Sequence, residues 1–373
     1  MTRSIFEDVS GDRPEVNQPK PKDKPARRAI AIWLMVLFAL VSAMIIVGGL
    51  TRLTDSGLSI TEWKPVTGAL PPLGSADWLA EFDKYRATPE FILQNADMTL
   101  QEFKGIFWWE WGHRFLGRVV GLIWAAGFFW FLMRKQIPTG WTGRLFAIGV
   151  LGGLQGAIGW WMVSSGLRGR MIDVASYRLA IHLGLAFIIL GLIAWYVFEL
   201  RQNSGELLQA RRRREGGLMR LSTVLLSLLF VQILLGALVA GIDAGRAFPT
   251  WPGMAGAFPP SEIFDYEPVW TNFFENPALV QFNHRLLGYL AFLLGGFIWW
   301  KSRKSAQTAV RMRFNWMMVM LFGQVVLGIV TVLYAAPLHA AISHQIGAIL
   351  LFVLTLRARF GAAYPAAQTI ARG

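Results

Sequence analysis

Neutral imidazole is the commonest metal ligand among side chains, and this 373-residue chain contains five histidines and no cysteine. The missing thiols remove disulfides, thiolate zinc sites, iron-sulfur clusters, cysteine nucleophiles and covalent c-type haem attachment together. Four histidines, His113, His182, His284 and His344, stand at or near the start of long apolar runs, two in each half of the chain. Glu110 precedes His113 by one helical turn, so a helix would put carboxylate and ring on one side; Gln281 holds that place before His284. An acid beside a metal ligand near a membrane is costly and needs a reason, and proton handling during an oxidation is one. The fifth ring, His339, follows Pro337 and is expected in a loop.

The elements that must position these groups are membrane helices. The chain is 54% hydrophobic and 16% charged, with 17 Trp, 26 Phe and a mean hydropathy of +0.43, too greasy for a soluble surface. Runs of about 20 apolar residues cross a bilayer, and they occur over Ile30–Leu50, His113–Met133, Leu145–Ser164, Leu179–Glu199, Leu221–Gly241, His284–Trp300, Phe314–Tyr334 and Ile342–Leu356. The expected fold is an all-α integral membrane protein of eight transmembrane helices.

Charge sets its orientation. Residues 1–29, 134–144, 199–220, 301–313 and the C-terminal tail hold about two thirds of the 36 Lys and Arg but only about one third of the 23 acids. By the positive-inside rule that face is cytoplasmic, so both termini lie inside and the net charge of +13 reports topology rather than nucleic-acid binding. The histidines then start helices that run inward, at one depth near the outer face.

An internal repeat organises the chain. A shift of 188 residues places Gly48-Gly-Leu-Thr-Arg-Leu-Thr-Asp-Ser-Gly57 on Gly236-Ala-Leu-Val-Ala-Gly-Ile-Asp-Ala-Gly245, Trp63 on Trp251 and Pro71-Pro72 on Pro259-Pro260. Past a change of loop length, His113-Arg-Phe-Leu-Gly117 falls on His284-Arg-Leu-Leu-Gly288, and Gln155 with Gly159 on Gln324 with Gly328. Two parallel four-helix repeats, 30–200 and 221–360, are expected, with a disordered basic tail over 1–29, a basic linker over 201–220 and a second tail over 361–373. The outer segment 51–112, rich in Trp and Phe, is expected along the membrane interface, and the proline-rich 242–281 as a structured cap.

Zinc or copper would call for three or four ligands, whereas two imidazoles facing each other from separate helices suit the axial positions of haem. Gly117, Gly121, Gly156, Gly159, Gly184, Gly288, Gly328 and Gly347 would admit a flat ligand, and Arg114, Arg118, Arg178 and Arg285 crowd the same boundary, where guanidinium can pair with a propionate. Two bis-histidine haem sites are expected, with chemistry in the half that carries Glu110. A dihaem membrane cytochrome would use the same four histidines, and a transporter could share the duplication, though it would place polar groups at mid-membrane.

The segments Gly48-Gly-Leu-Thr-Arg-Leu-Thr-Asp-Ser-Gly-Leu-Ser, Glu62-Trp-Lys-Pro-Val-Thr-Gly, Phe107-Trp-Trp-Glu-Trp-Gly-His-Arg and Asn283-His-Arg-Leu-Leu-Gly resemble the haem A synthase family, over nearly all of the chain after the basic tail. The first outer loop lacks the cysteine pair of some members, so the resemblance is to the cysteine-free proteobacterial and mitochondrial type and no thiol relay applies. The resemblance implies an inner-membrane oxidoreductase that turns the C8 methyl of haem O into a formyl group by successive hydroxylations, yielding haem A for terminal oxidases. It implies a resident haem b on His284 and His344, substrate haem O on His113 and His182, and Glu110 close to the reacting group, where proton handling would make it the catalytic residue. Haem O synthase and oxidase assembly factors would be its partners, with an electron donor that the sequence does not name.

Overall fold

The computed structural model describes residues 23–167, 169 and 171–366. Its frame is eight long helices: α1 (Asp23–Leu53), α2 (Leu100–Met133), α3 (Thr142–Gly166), α4 (Ser176–Leu200), α5 (Gly216–Gly241), α6 (Pro277–Ser302), α7 (Thr308–Leu333) and α8 (Leu338–Ala363). Seven of these are long and apolar enough to cross a membrane; α6, whose first turns hold Gln281, Asn283, His284 and Arg285, is not among the seven. No named strand occurs among the described residues.

Within each half the helices close a four-membered bundle. α1 packs on α2 and α4, with α3 bridging α2 and α4, and α5, α6, α7 and α8 pair in the same way. The halves meet through α1 and α4 against α5 and α8. Burial follows: in their apolar windows α8 is 61% buried and α3 only 6%. Gly49 lets α8 approach α1, where Gln345 donates to the Ile45 carbonyl at 2.6 Å.

Helix starts differ from those expected. At about 1.5 Å per residue, the 34 residues of α2 reach some 20 Å beyond the roughly 30 Å of hydrocarbon. The extension begins at a capping box in which Thr99 Oγ1 accepts from Glu102 N and the Glu102 carboxylate accepts from Thr99 N. α6 likewise starts early, at the Asn276 cap followed by Pro277. His113 and His284 are therefore not first residues of their helices but lie more than one turn inside. His339 sits on the exposed first turn of α8, not in a loop, because Pro337 caps that helix at its fixed φ. At the other end α1 reaches back to Asp23, so 23–29 belong to a helix; residues 1–22 and 367–373 lie outside the described residues.

The segment 54–99 is a folded lid. Helices Ser75–Arg86 and Pro89–Leu93 pack onto the extension of α2 through Trp78, Tyr85, Phe91, Phe103 and Phe107, with Tyr85 stacked on Phe103 at 5.2 Å.

Candidate functional site

His113 lies against Gly48 of α1 and His182 against Gly159 of α3, while the rings of His284 and His344 stand 6.3 Å apart, centre to centre, at 80°. Metal–imidazole bonds of about 2.0 Å on opposite sides of one iron, plus about one ångström from each nitrogen to its ring centre, require close to that separation. The second pair therefore fits a single hexacoordinate iron. Among the described residues no three of His, Cys, Asp and Glu converge, so these rings offer two-ligand sites.

A glycine backs every ring. A Cβ on Gly48 would lie 3.1 Å from His113, on Gly159 2.9 Å from His182, on Gly236 3.1 Å from His284 and on Gly328 3.1 Å from His344. These contacts fix how far each imidazole can swing. Glutamine amides add a second constraint at three of them: Gln155, Gln232 and Gln324 donate to the backbone carbonyls of His182, His284 and His344 at 3.0, 2.9 and 2.8 Å. At His182 and His284 the same amide nitrogen also stands 3.2 Å from the ring Nδ1, the kind of partner that orients a ligating ring, whereas the buried Nδ1 of His344 has no protein partner.

The carboxylate beside His113 is locked rather than solvated. Glu110 is 2% exposed; its Oε2 accepts from Ser59 Oγ and the Ile60 amide, both at 2.7 Å, and its Oε1 accepts from Arg114. Arg114 also donates to the carbonyls of Ile60 and Glu62 at 2.9 and 3.2 Å and lies over Trp160. The same bonds recur in the second half, where Arg285 donates to Phe248 O at 2.7 Å, to Thr250 O at 2.8 Å and to Gln281 Oε1 at 3.0 Å. Gln281 passes its own N–H to Ala244 O at 2.9 Å. The two arrangements differ in charge and in the direction of one bond, since Glu110 accepts from Ser59 and Ile60 where Gln281 donates to Ala244 O.

Arg118 spends two donors on Pro65 O and Lys64 O, and Arg178 one on Trp161 O while stacking on that indole at 4.5 Å. Arg118, Arg178 and Arg285 each keep one buried N–H with no protein acceptor. Of the glycines expected to admit a flat ligand, Gly159 and Gly328 touch the His182 and His344 rings, Gly117, Gly288 and Gly347 touch Met44, Gln232 and Gln324, Gly184 packs on Leu234, and Gly121 and Gly156 face open space.

The lid above Glu110 contains groups that sequence reading did not single out. Glu90 is 3% exposed with Oε2 unpartnered, and burial, reinforced by the Glu110 charge, pushes its carboxyl up to about 8. Burial and Glu90 also raise the Tyr85 phenol. Glu62 is the opposite case, held down to about 2 by Lys64 and Lys84 at 2.6 and 2.8 Å. A cavity of about 300 Å³ lined by Thr61, Lys84, Thr88, Trp160 and Ser164 opens beside this cluster. At the junction of the halves Arg52 pairs with Asp55, Asp243 and Asp173 at 2.7, 3.0 and 3.5 Å. Asp55 and Asp243 both take the left-handed backbone at φ 49 and 52.

The chain matches the cytochrome oxidase assembly protein family over residues 31–356. It is 62% identical to a haem A synthase of Dinoroseobacter shibae across 99% of this chain and 98% of that protein. A haem A synthase of Paracoccus denitrificans is 57% identical across 100% of this chain and 98% of its own length, and one from a Ruegeria species 58% identical across 99% and 98%.

Proposed function

The chain belongs to the cytochrome oxidase assembly protein family, and from that premise we propose that it is a haem A synthase, an integral membrane oxidoreductase converting haem O to haem A. The observation that carries the site assignment is the 6.3 Å approach of His284 and His344. These two hold a resident haem b, and His113 with His182 hold substrate haem O. When bound, the resident haem supplies reversible one-electron chemistry.

The protein's own residues supply position and protons. Glycine contacts limit all four imidazoles, and glutamine amides at Nδ1 orient those of His182 and His284. Taking a methyl to a formyl group through two hydroxylations and loss of water requires proton movement at the reacting edge. Glu110 is the group assigned to it, kept aligned by Ser59, Ile60 N and Arg114. Arg114 is committed to pinning residues 60–62, so the propionates fall to the spare N–H groups of Arg118, Arg178 and Arg285. The exposed apolar faces of α2 and α3 leave a lipid-side approach for a farnesylated substrate. Eight spans as two parallel repeats, both termini cytoplasmic and the haem level near the outer face of the inner membrane, are supported by charge sorting and by the arginine-to-carbonyl bonds that recur in the two halves. Haem O synthase and oxidase assembly factors are the partners expected at the membrane.

His284→Ala and His344→Ala test the arrangement. Either should abolish low-spin haem b absorption of the purified protein while insertion is kept. An unchanged spectrum in both would remove the resident haem from this pair.

A further inference from the structure

The interval that relates the halves places Met44 on Gln232, and the structure seats the two alike. Gln232 stands one helical turn before Gly236 on α5, with its amide nitrogen 3.2 Å from His284 Nδ1 as well as bonded to the His284 carbonyl. Gln155 stands one turn before Gly159 with its nitrogen 3.2 Å from His182 Nδ1, and Gln324 one turn before Gly328 with its nitrogen 2.8 Å from the His344 carbonyl. At His113 the backing glycine is Gly48, and the residue one turn before it is Met44. Its place is that of the amide: Met44 Cε would lie 3.7 Å from a Cβ on Gly117, four residues past His113, as Gln232 Nε2 would lie 3.3 Å from one on Gly288, four residues past His284.

The exchange of amide for thioether removes a function. Each glutamine nitrogen ties the backbone carbonyl of its histidine, and those of Gln155 and Gln232 also stand 3.2 Å from the ring Nδ1, while each Oε1 is buried with no protein partner. Methionine has no donor, only a weak acceptor, and three rotatable bonds. Outer partners of a ligating histidine fix its plane and raise its basicity, and their loss typically costs 10–100-fold in metal affinity. Three of the four histidines are thus tied to a glutamine, His182 and His284 through the ring as well as the backbone and His344 through the backbone alone, and His113 has no such amide.

We propose that Met44 makes His113 the releasing ligand, the imidazole on which haem is exchanged at each turnover, while the histidines tied to glutamine hold. A site that must admit substrate and discharge product needs one weak tether, and a site for a resident cofactor needs none. The inference rests on His113 and His182 being the substrate pair, and makes Met44 a positioning residue acting through His113.

The test uses the full-length chain in lipid nanodiscs, loaded with haemin, with transfer to excess apomyoglobin followed by absorbance. Met44→Gln should slow loss of the faster-leaving haem by about 10–100-fold, leaving the slower phase unchanged. Met44→Leu, which keeps bulk without an amide, should leave both phases as they are. Gln232→Met should accelerate the slow phase by a comparable factor. An unchanged fast phase in Met44→Gln, or equal slowing by Met44→Leu, overturns the proposal. Should Met44→Gln fail to insert, an unaltered slow phase in Gln232→Met overturns it. If the unsubstituted chain takes up one haemin only, the two-site reading fails and takes the inference with it; two phases with no response to Met44 would fault the inference alone.

Discussion

Replacing Glu110 by Gln copies the residue of the second half and asks what its charge does. The two oxygens keep different company: Oε2 accepts from Ser59 Oγ and Ile60 N at 2.7 Å, and Oε1 accepts from Arg114. Either orientation of an amide turns its NH2 toward a donor, the Ile60 N–H or the guanidinium. One buried donor then lacks an acceptor, costing about 1–3 kcal/mol, and a charge-assisted bond worth about 1.5–3 kcal/mol is lost. Arg114 keeps the carbonyls of Ile60 and Glu62 and its side chain is 20% exposed, so its charge is not stranded. The lower ends of both ranges apply, a total of about 2–4 kcal/mol, which loosens residues 56–62 without unfolding the bundle. Gln281 shows that an amide fits sterically, because there its N–H meets the Ala244 carbonyl instead of an N–H. The assay supplies haem O to the reconstituted variant, measures haem A in the extract and follows amide hydrogen exchange. Haem A formation should fall about 10²–10⁴-fold, with faster exchange confined to 56–62 and the second-half haem absorption intact. Haem A at the unsubstituted level would refute the reasoning, and exchange spreading through α2 would assign the loss to folding.

Two further outcomes follow from the same geometry. Glu90 titrates near 8 when folded against 4.5 when exposed; a raised carboxyl costs nothing below about 4.5, and stability is then lost as pH rises to about 8, by at most about 5 kcal/mol. Hydrogen exchange over residues 85–107 should therefore speed up between pH 5 and 8, and Glu90→Gln should flatten that dependence; an equal slope in the variant contradicts it. Gly159→Ala, with its Cβ 2.9 Å from the His182 ring, should weaken haem binding in the first half about 10-fold, while Gly156→Ala, which meets nothing within 4 Å, should leave it unchanged. Equal titration curves for the two variants would show that the glycine contact does not set the ring.

The helices and the four histidines are legible because both signals are local: apolar length for the spans, and residue type at repeated places for the rings. Helix starts were less so. The Thr99-Leu-Gln-Glu102 box and the Asn276-Pro277 cap are written in the sequence, but the apolar runs begin later, and an aromatic outer segment dilutes the periodicity. The seat of the Glu110 carboxylate depends on Ser59 and Ile60, about fifty residues away, which no spacing rule reaches. The pairing of Gln155, Gln232 and Gln324 with the histidines needed the helix packing, though the one-turn interval from each glutamine to its glycine is a signal that the internal repeat already exposes. Glu90 carried none, since a Glu after Thr88-Pro89 reads as an ordinary first-turn acid.

The measurement that bears most directly on the function is the haem content of a host that makes haem O but no haem A, expressing the full-length chain, with extracted haems separated by reversed-phase chromatography. Haem A should appear at the expense of haem O, and the purified protein should retain haem b. A purified protein carrying haem on both histidine pairs in cells whose haem O stays unconverted would contradict it, and would leave an electron carrier in place of the oxidising enzyme.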